Sequence, residues 1–305
     1  MKTLRRLLKQ RHGSVVALFA AMLSVLVGLT ALVVDLGLLY TTRVQLTNLA
    51  DAAALAGVQE LPDNSGGAYS RAADYAQLNG KMGDVLDIQV LNGTTVAVKA
   101  TRTVPLMFAR IFGLATSDVT GAAAARISPA SGVRGIVPFS LIYDPTAPFV
   151  YGQKYTIKFD KFLSPGNFGL LDLGGNLREN IMYGYDGTFD FNTPLVFTEP
   201  GGKVGIVRQS LAYRFSLDPT NPTFATVTPG SSRIILVPVI ESMDVNGKKE
   251  VKVLGFAAMF LSESSDGKSV TGQFMQMVTA GIPDDGAGNY GVYASRLVPY
   301  SSAFN

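Results

Sequence analysis

Side chains that commonly do chemistry are scarce in this sequence. It contains no Cys, which removes disulfides, thiolate nucleophiles, zinc-thiolate sites and iron-sulfur clusters together. The one histidine, His12, sits among basic residues, so neither a Ser-His-Asp arrangement nor a His-rich metal site has its parts. Acid pairs such as Glu179 with Asp186, or Glu241 with Glu263, leave glycoside hydrolysis as the remaining acid-base chemistry, because it needs two carboxyls at a set separation. With 23 acids spread through turn-rich sequence, pairs of this kind arise by chance. The expectation is a protein that is not an enzyme and carries no cofactor.

Four strings resemble binding motifs. PGNFGLLDLGGN at 165–176 is glycine-rich but lacks the Gly-Lys-Ser/Thr ending of a phosphate loop, and reads as β-turns. Asp244-Val245-Asn246-Gly247 starts like a calcium loop, yet the downstream Glu is missing and a hairpin turn accounts for it. Asp284, Asp285 and Asn289 would offer oxygens to a weakly held calcium ion. Tyr183, Tyr185, Phe189, Phe191 and Phe197 alternate with Gly and Asp; they suit either a strand core or a surface for carbohydrate or a protein partner.

The elements that position these residues begin with the N-terminus. Lys2, Arg5, Arg6, Lys9 and Arg11 give the first 13 residues five positive charges and no acid, leaving 21 basic against 23 acidic residues beyond Gly13. The pI near 9.0 is thus a property of a tail and not the footprint of a nucleic-acid binder. Residues 14–34 carry no charge and are mostly Val, Leu, Ala, Phe and Met. As a helix of ~1.5 Å per residue they extend about 31 Å, enough for a bilayer core of roughly 30 Å and too long for the apolar part of a cleavable signal peptide. The basic flank places the N-terminus in the cytoplasm, with the remainder outside. From Asp35 the pattern stays helical, without proline until Pro62, so one helix over 14–61 is expected. Its alanine-rich stretch at 50–56 forms a small-residue face suited to close packing, either on a neighbouring subunit or on the protein's own globular part.

The segment GSVVALFAAMLSVLVGLTALVVDLGLLYTTRVQLTNLADAAALAG resembles the N-terminal region of TadE/TadG-like Flp pilus-assembly proteins of the tight-adherence system. Gly13 opens the apolar run, Asp35 and Gly37 close it, Arg43 and Gln45 follow, and Asp51, Ala52, Ala53, Ala54, Leu55, Ala56 and Gly57 form the DAAALAG ending. The resemblance covers about residues 10–60, and it implies an assembly or pseudopilin-type protein of the bacterial envelope. Those residues would carry the family motif and the packing between subunits, and Asp35 would either mark the aqueous boundary or pair with a basic group such as Arg43 of a neighbour. The chain departs from the prepilin processing pattern, which usually has Glu five residues after the cleaved Gly, where Leu18 stands. It also lacks the Asp-x-Ser-x-Ser string of a von Willebrand factor A-like metal site; Asp63-Asn64-Ser65 begins one that fails at Gly67.

Beyond the rod, helices over 69–78 and 105–112, strands over 85–91, 95–101 and 118–127, and an Asn92-Gly93 turn predict a small module of two helices on three strands. Its basic residues, Lys99, Arg102, Arg110 and Arg126, read as a solvated face. SPASG at 128–132 reads as a linker. Eight strands are expected after it, over 135–143, 154–159, 168–173, 211–216, 234–241, 250–261, 272–279 and 292–298, in a sandwich or open barrel. The expected organisation is an α+β chain: cytoplasmic tail 1–13, transmembrane helix 14–34, extracytoplasmic helical extension 35–61, α+β module 62–127, linker 128–133 and β-rich extracytoplasmic domain 134–305. The expected function is that of a single-pass protein of the bacterial inner membrane that anchors, assembles or presents a Tad/Flp pilus; the alternative is a membrane-anchored module binding envelope carbohydrate or a surface protein. Expected partners are the lipid bilayer and other pilus-assembly proteins or pilin subunits, with no nucleic acid and no small-molecule substrate.

Overall fold

A computed structural model describes residues 11–158, 167–190, 195–201, 203–245, 247–264 and 269–304. Helix α1, Arg11–Val58, is 48 residues long, about 72 Å at the α-helical rise. No proline or glycine pair interrupts it. Its first half exposes every large apolar side chain from Val15 to Val34, and its second half buries Leu46, Leu49, Ala50, Ala53, Ala54 and Val58. The helix ends three residues before the expected Leu61, where Glu60 and Leu61 tighten the chain by donating to the Gly57 and Val58 carbonyls. Helix α2, Ser65–Asn79, starts four residues before its expected position, because Asn64 Oδ1 accepts from the Gly67 amide at 2.8 Å and caps the turn. This cap accounts for the Asp63-Asn64-Ser65 string. Ala68, Ala72 and Ala76, at four-residue spacing, bury against α1.

Strands β1 (Val85–Leu91) and β2 (Thr95–Pro105) form the expected hairpin, with Asn92 and Gly93 both at positive φ. Pro105 ends β2 instead of opening a helix, and only a 3₁₀ turn, Ala109–Phe112, remains of the helix expected over 105–112. Strand β3, Thr116–Arg134, is the central correction: residues 128–132 are buried or half-buried strand inside it, not a linker. Its Thr116 to Arg126 pair with β2, its Ala124 to Pro129 with β14 (Val292–Val298), and its far end with β13 (Gly281–Pro283) and β7 (Thr188–Asp190). Pro129 is tolerated in mid-strand because it falls where β14 pairing stops and β13 pairing begins, so no ladder bond needs its missing N–H. The order of this sheet is β1-β2-β3-β14, with β12 (Met277–Thr279) outermost.

The second sheet runs β4 (Leu141–Ile142), β9 (Ile234–Ile240), β10 (Glu250–Ser264), β11 (Ser269–Met275) and β5 (Lys154–Lys158), and β8 (Leu195–Pro200) and β6 (Asn167–Asp172) extend it from β10. Short helices α3 (Leu177–Tyr183) and α4 (Val204–Ser216) cover one face through Ile181, Val207 and Leu211. The opposite face packs on β3 and β14 through Val133, Val292 and Ala294. Four expected strands change. Residues 211–216 belong to α4, whose buried positions 207, 210, 211 and 214 follow helical spacing. Residues 135–143 keep only the two-residue β4 and isolated bridges. Residues 272–279 divide between β11 and β12, which lie in different sheets, and 292–298 joins the first sheet. Arg214 is buried and donates to the carbonyls of Ile181 and Met182 at the end of α3 and of Ile234 on β9; burial lowers its pKa to about 10.

Candidate functional site

Among the described residues, the side chains singled out for chemistry do not assemble into a catalytic centre. Glu179, Asp186 and Glu241 lie on the exposed surface, and the Glu263 side chain lies outside the described residues. Both carboxylate oxygens of Asp285 are engaged, one by the Ser128 hydroxyl and the other by Arg296, each at 2.5 Å, and Asp284 accepts from the Gly286 amide. The oxygens expected to hold calcium therefore tie the 284–286 turn to β3 and β14. Asn246 and Phe191 lie outside the described residues. The other aromatics divide: Tyr185 and Phe189 pack on the core, whereas Tyr183 meets Tyr213 edge-on and Phe197 sits exposed under Lys248.

What does assemble is the region where α1 leaves its exposed apolar half and meets the first sheet. Asp35 is only 3% exposed. Its Oδ1 accepts from the Met107 amide at 2.9 Å, and its Oδ2 from Phe108 at 3.0 Å and Ala109 at 2.7 Å. The carboxylate thus caps the 3₁₀ turn that follows β2, supplying acceptors to amides that have no partner within the turn. Within the chain this cap occupies both Asp35 oxygens, and Arg43 is exposed two turns further on. Gln45 accepts from Arg102 at 3.1 Å, and Arg102 in turn grips Asp84 through two bonds of 2.6 and 2.7 Å. The Arg102 guanidinium holds the Asp84 carboxyl below the ordinary carboxylate range. Arg102 is therefore a clamp between rod and sheet rather than part of a solvated face.

The DAAALAG residues serve the chain's own packing. Ala53, Ala54 and Gly57 are buried, and Asp51, Ala52, Leu55 and Ala56 are half-buried. Partial burial pushes the Asp51 carboxyl up. A Cβ on Gly57 would lie 2.7 Å from the Ala68 carbonyl, so this glycine sets the distance between α1 and α2. The matching close approach on the sheet is at Gly121, where a Cβ would meet the Leu46 and Thr47 backbone at 2.4 Å. Sequence reasoning missed Gly121, whose signal was the run Gly-Ala-Ala-Ala-Ala at 121–125: a strand of small residues lets a helix lie directly on it. Gly37, by contrast, has open space around it. Gly13 lies inside α1, and Lys2, Arg5, Arg6 and Lys9 lie outside the described residues, as does the Arg11 side chain.

Residues 13–60 match one family, described as Tad: Putative Flp pilus-assembly TadE/G-like. The match runs from the apolar half of α1 through the docked DAAALAG end, roughly a sixth of the chain, and ties that segment to a structural and assembly family of Flp pili. No curated protein and no solved structure matches the chain.

Proposed function

We propose that the chain is a membrane-anchored structural component of a Tad/Flp-type pilus-assembly apparatus. Residues 14–34 cross the inner membrane, with the basic tail in the cytoplasm and the folded head on the opposite side. The observation that carries this reading is that the family-matched segment is one unbroken helix up to Val58, exposed and apolar over its first half and locked into the folded head over its second. Because the small-residue face at 50–57 is already occupied by α2 and the sheet, contact with other assembly proteins or pilin subunits falls to the exposed half of α1 and to the outer surface of the head. The role is anchoring and presentation rather than catalysis.

The test is the N-terminus and intact mass of the protein from native membranes, with protease shaving of whole cells. A full-length chain embedded in the membrane, with its head removed from outside, supports a permanent anchor. A mature chain beginning at Ser14 replaces the anchor with a processed, filament-entering subunit, and a chain released in soluble form without membrane extraction overturns both.

A further inference from the structure

The turn that Asp35 caps has a composition unsuited to water. In LMFARIFGL at 106–114, Met107 is 68% exposed, Ile111 80%, Phe112 84% and Leu114 61%. These side chains point away from the protein core. The turn lies beside the exposed half of α1, and the groove between them, about 420 Å³, is lined by Leu23, Val27, Ala31, Phe108, Ile111 and Phe112. From Asp35 to Leu23 the groove follows about 18 Å of helix axis, comparable to half of a bilayer core of roughly 30 Å.

Irregular backbone is normally barred from lipid because its amides go unsatisfied. Here seven of the nine amides of residues 106–114 have an acceptor. The Met107, Phe108 and Ala109 amides donate to Asp35. Leu106, Ile111, Gly113 and Leu114 donate to the carbonyls of Ala115, Phe108, Arg110 and Ala109. The single charged side chain, Arg110, is exposed and long enough to reach headgroups.

We propose that residues 106–114 form a second bilayer contact, an apolar finger lying in the leaflet on the head's side of the membrane, with acyl chains filling the groove between finger and α1. The occupant is lipid because the finger's apolar surface is continuous with the exposed surface of α1. The proposal rests on the reading of α1 as a membrane-spanning helix. Two contacts at one level fix the tilt and rotation of the rod, which a lone helix leaves free.

The absence of Cys permits a direct test on the full chain. Single variants Leu26→Cys, Ile111→Cys, Phe112→Cys and Tyr151→Cys are labelled with an environment-sensitive fluorophore and reconstituted into phosphatidylethanolamine/phosphatidylglycerol vesicles. The expected result is blue-shifted emission at 26, 111 and 112, quenched several-fold more by acyl-chain bromines than by aqueous iodide, with the reverse at 151. Iodide quenching at 111 and 112 while 26 stays lipid-quenched overturns the finger alone. Loss of lipid quenching at 26 overturns the membrane reading of α1 and the finger with it. Shielding of 111 and 112 from both quenchers means that protein covers the finger, and also overturns the proposal. Adding Asp35→Ala to the Ile111→Cys chain should raise iodide access at 111, while Asp35→Asn, which keeps an acceptor oxygen, should raise it less.

Discussion

Asp35 illustrates how a single carboxylate directs a fold. It accepts three amides from one turn, so Asp35→Ala leaves those donors without a protein partner; a loss of about 2 kcal/mol is expected, read as a lower midpoint in thermal unfolding of the purified protein. The glycines make a sharper comparison. Gly121→Ala drives a methyl into the α1 backbone and should cost about 2 kcal/mol by overpacking. Gly37→Ala, with open space around it, should be neutral or stabilise by up to about 1 kcal/mol through helix propensity; denaturation midpoints of the two variants check both. The Asp84–Arg102 pair sets an acid limit. A carboxyl depressed by its partner contributes stability that is full above its unfolded pKa, about 4, and is lost as pH falls below that through the folded value. Asp84→Asn should flatten that acid limb in a pH series of unfolding midpoints. At this scale Asp35 stood out as a carboxylate closing an apolar run, whereas Gln45 and Gly57 were marked only through the family resemblance. Their partners stayed hidden, since Asp35 and Met107 are 72 residues apart and no local pattern encodes such a meeting.

Among the elements, those with a local cause were legible: the apolar run of α1, the Asn92-Gly93 hairpin and the apolar core strands β9 and β10. Those decided by tertiary contacts were not. SPASG has the composition of a linker, but strands on either side supply its backbone partners. Residues 211–216 alternate like a strand, yet their burial within α4 places them on a helix. The same long-range logic governs the C-terminal strand. β14 returns to pair with β3, and its Tyr293 packs into the core beneath the rod. Truncation after Gly291 should therefore weaken the first sheet and its packing on the second, by on the order of 3 kcal/mol from the buried Val292, Tyr293 and Ala294. Limited proteolysis would then cut within 116–134 earlier than in the full chain. For the same reason residues 128–133 are not a free linker but part of a strand of the first sheet that packs on the second.

The whole molecule is a membrane-compatible helix whose second half forms one wall of the core beneath the sheet. Head and rod meet through buried alanines, two close glycine approaches and the Arg102 clamp. Strand β3, 19 residues long and about 60 Å in extended geometry, runs from beside the capped turn to the second sheet. A load applied to the outer sheet would therefore pass through a hydrogen-bonded beam instead of a flexible joint. Pulling along that beam shears many ladder bonds together rather than unzipping them one at a time. A head built this way behaves as a lever: torque applied by anything bound to it is delivered to the exposed apolar half of α1.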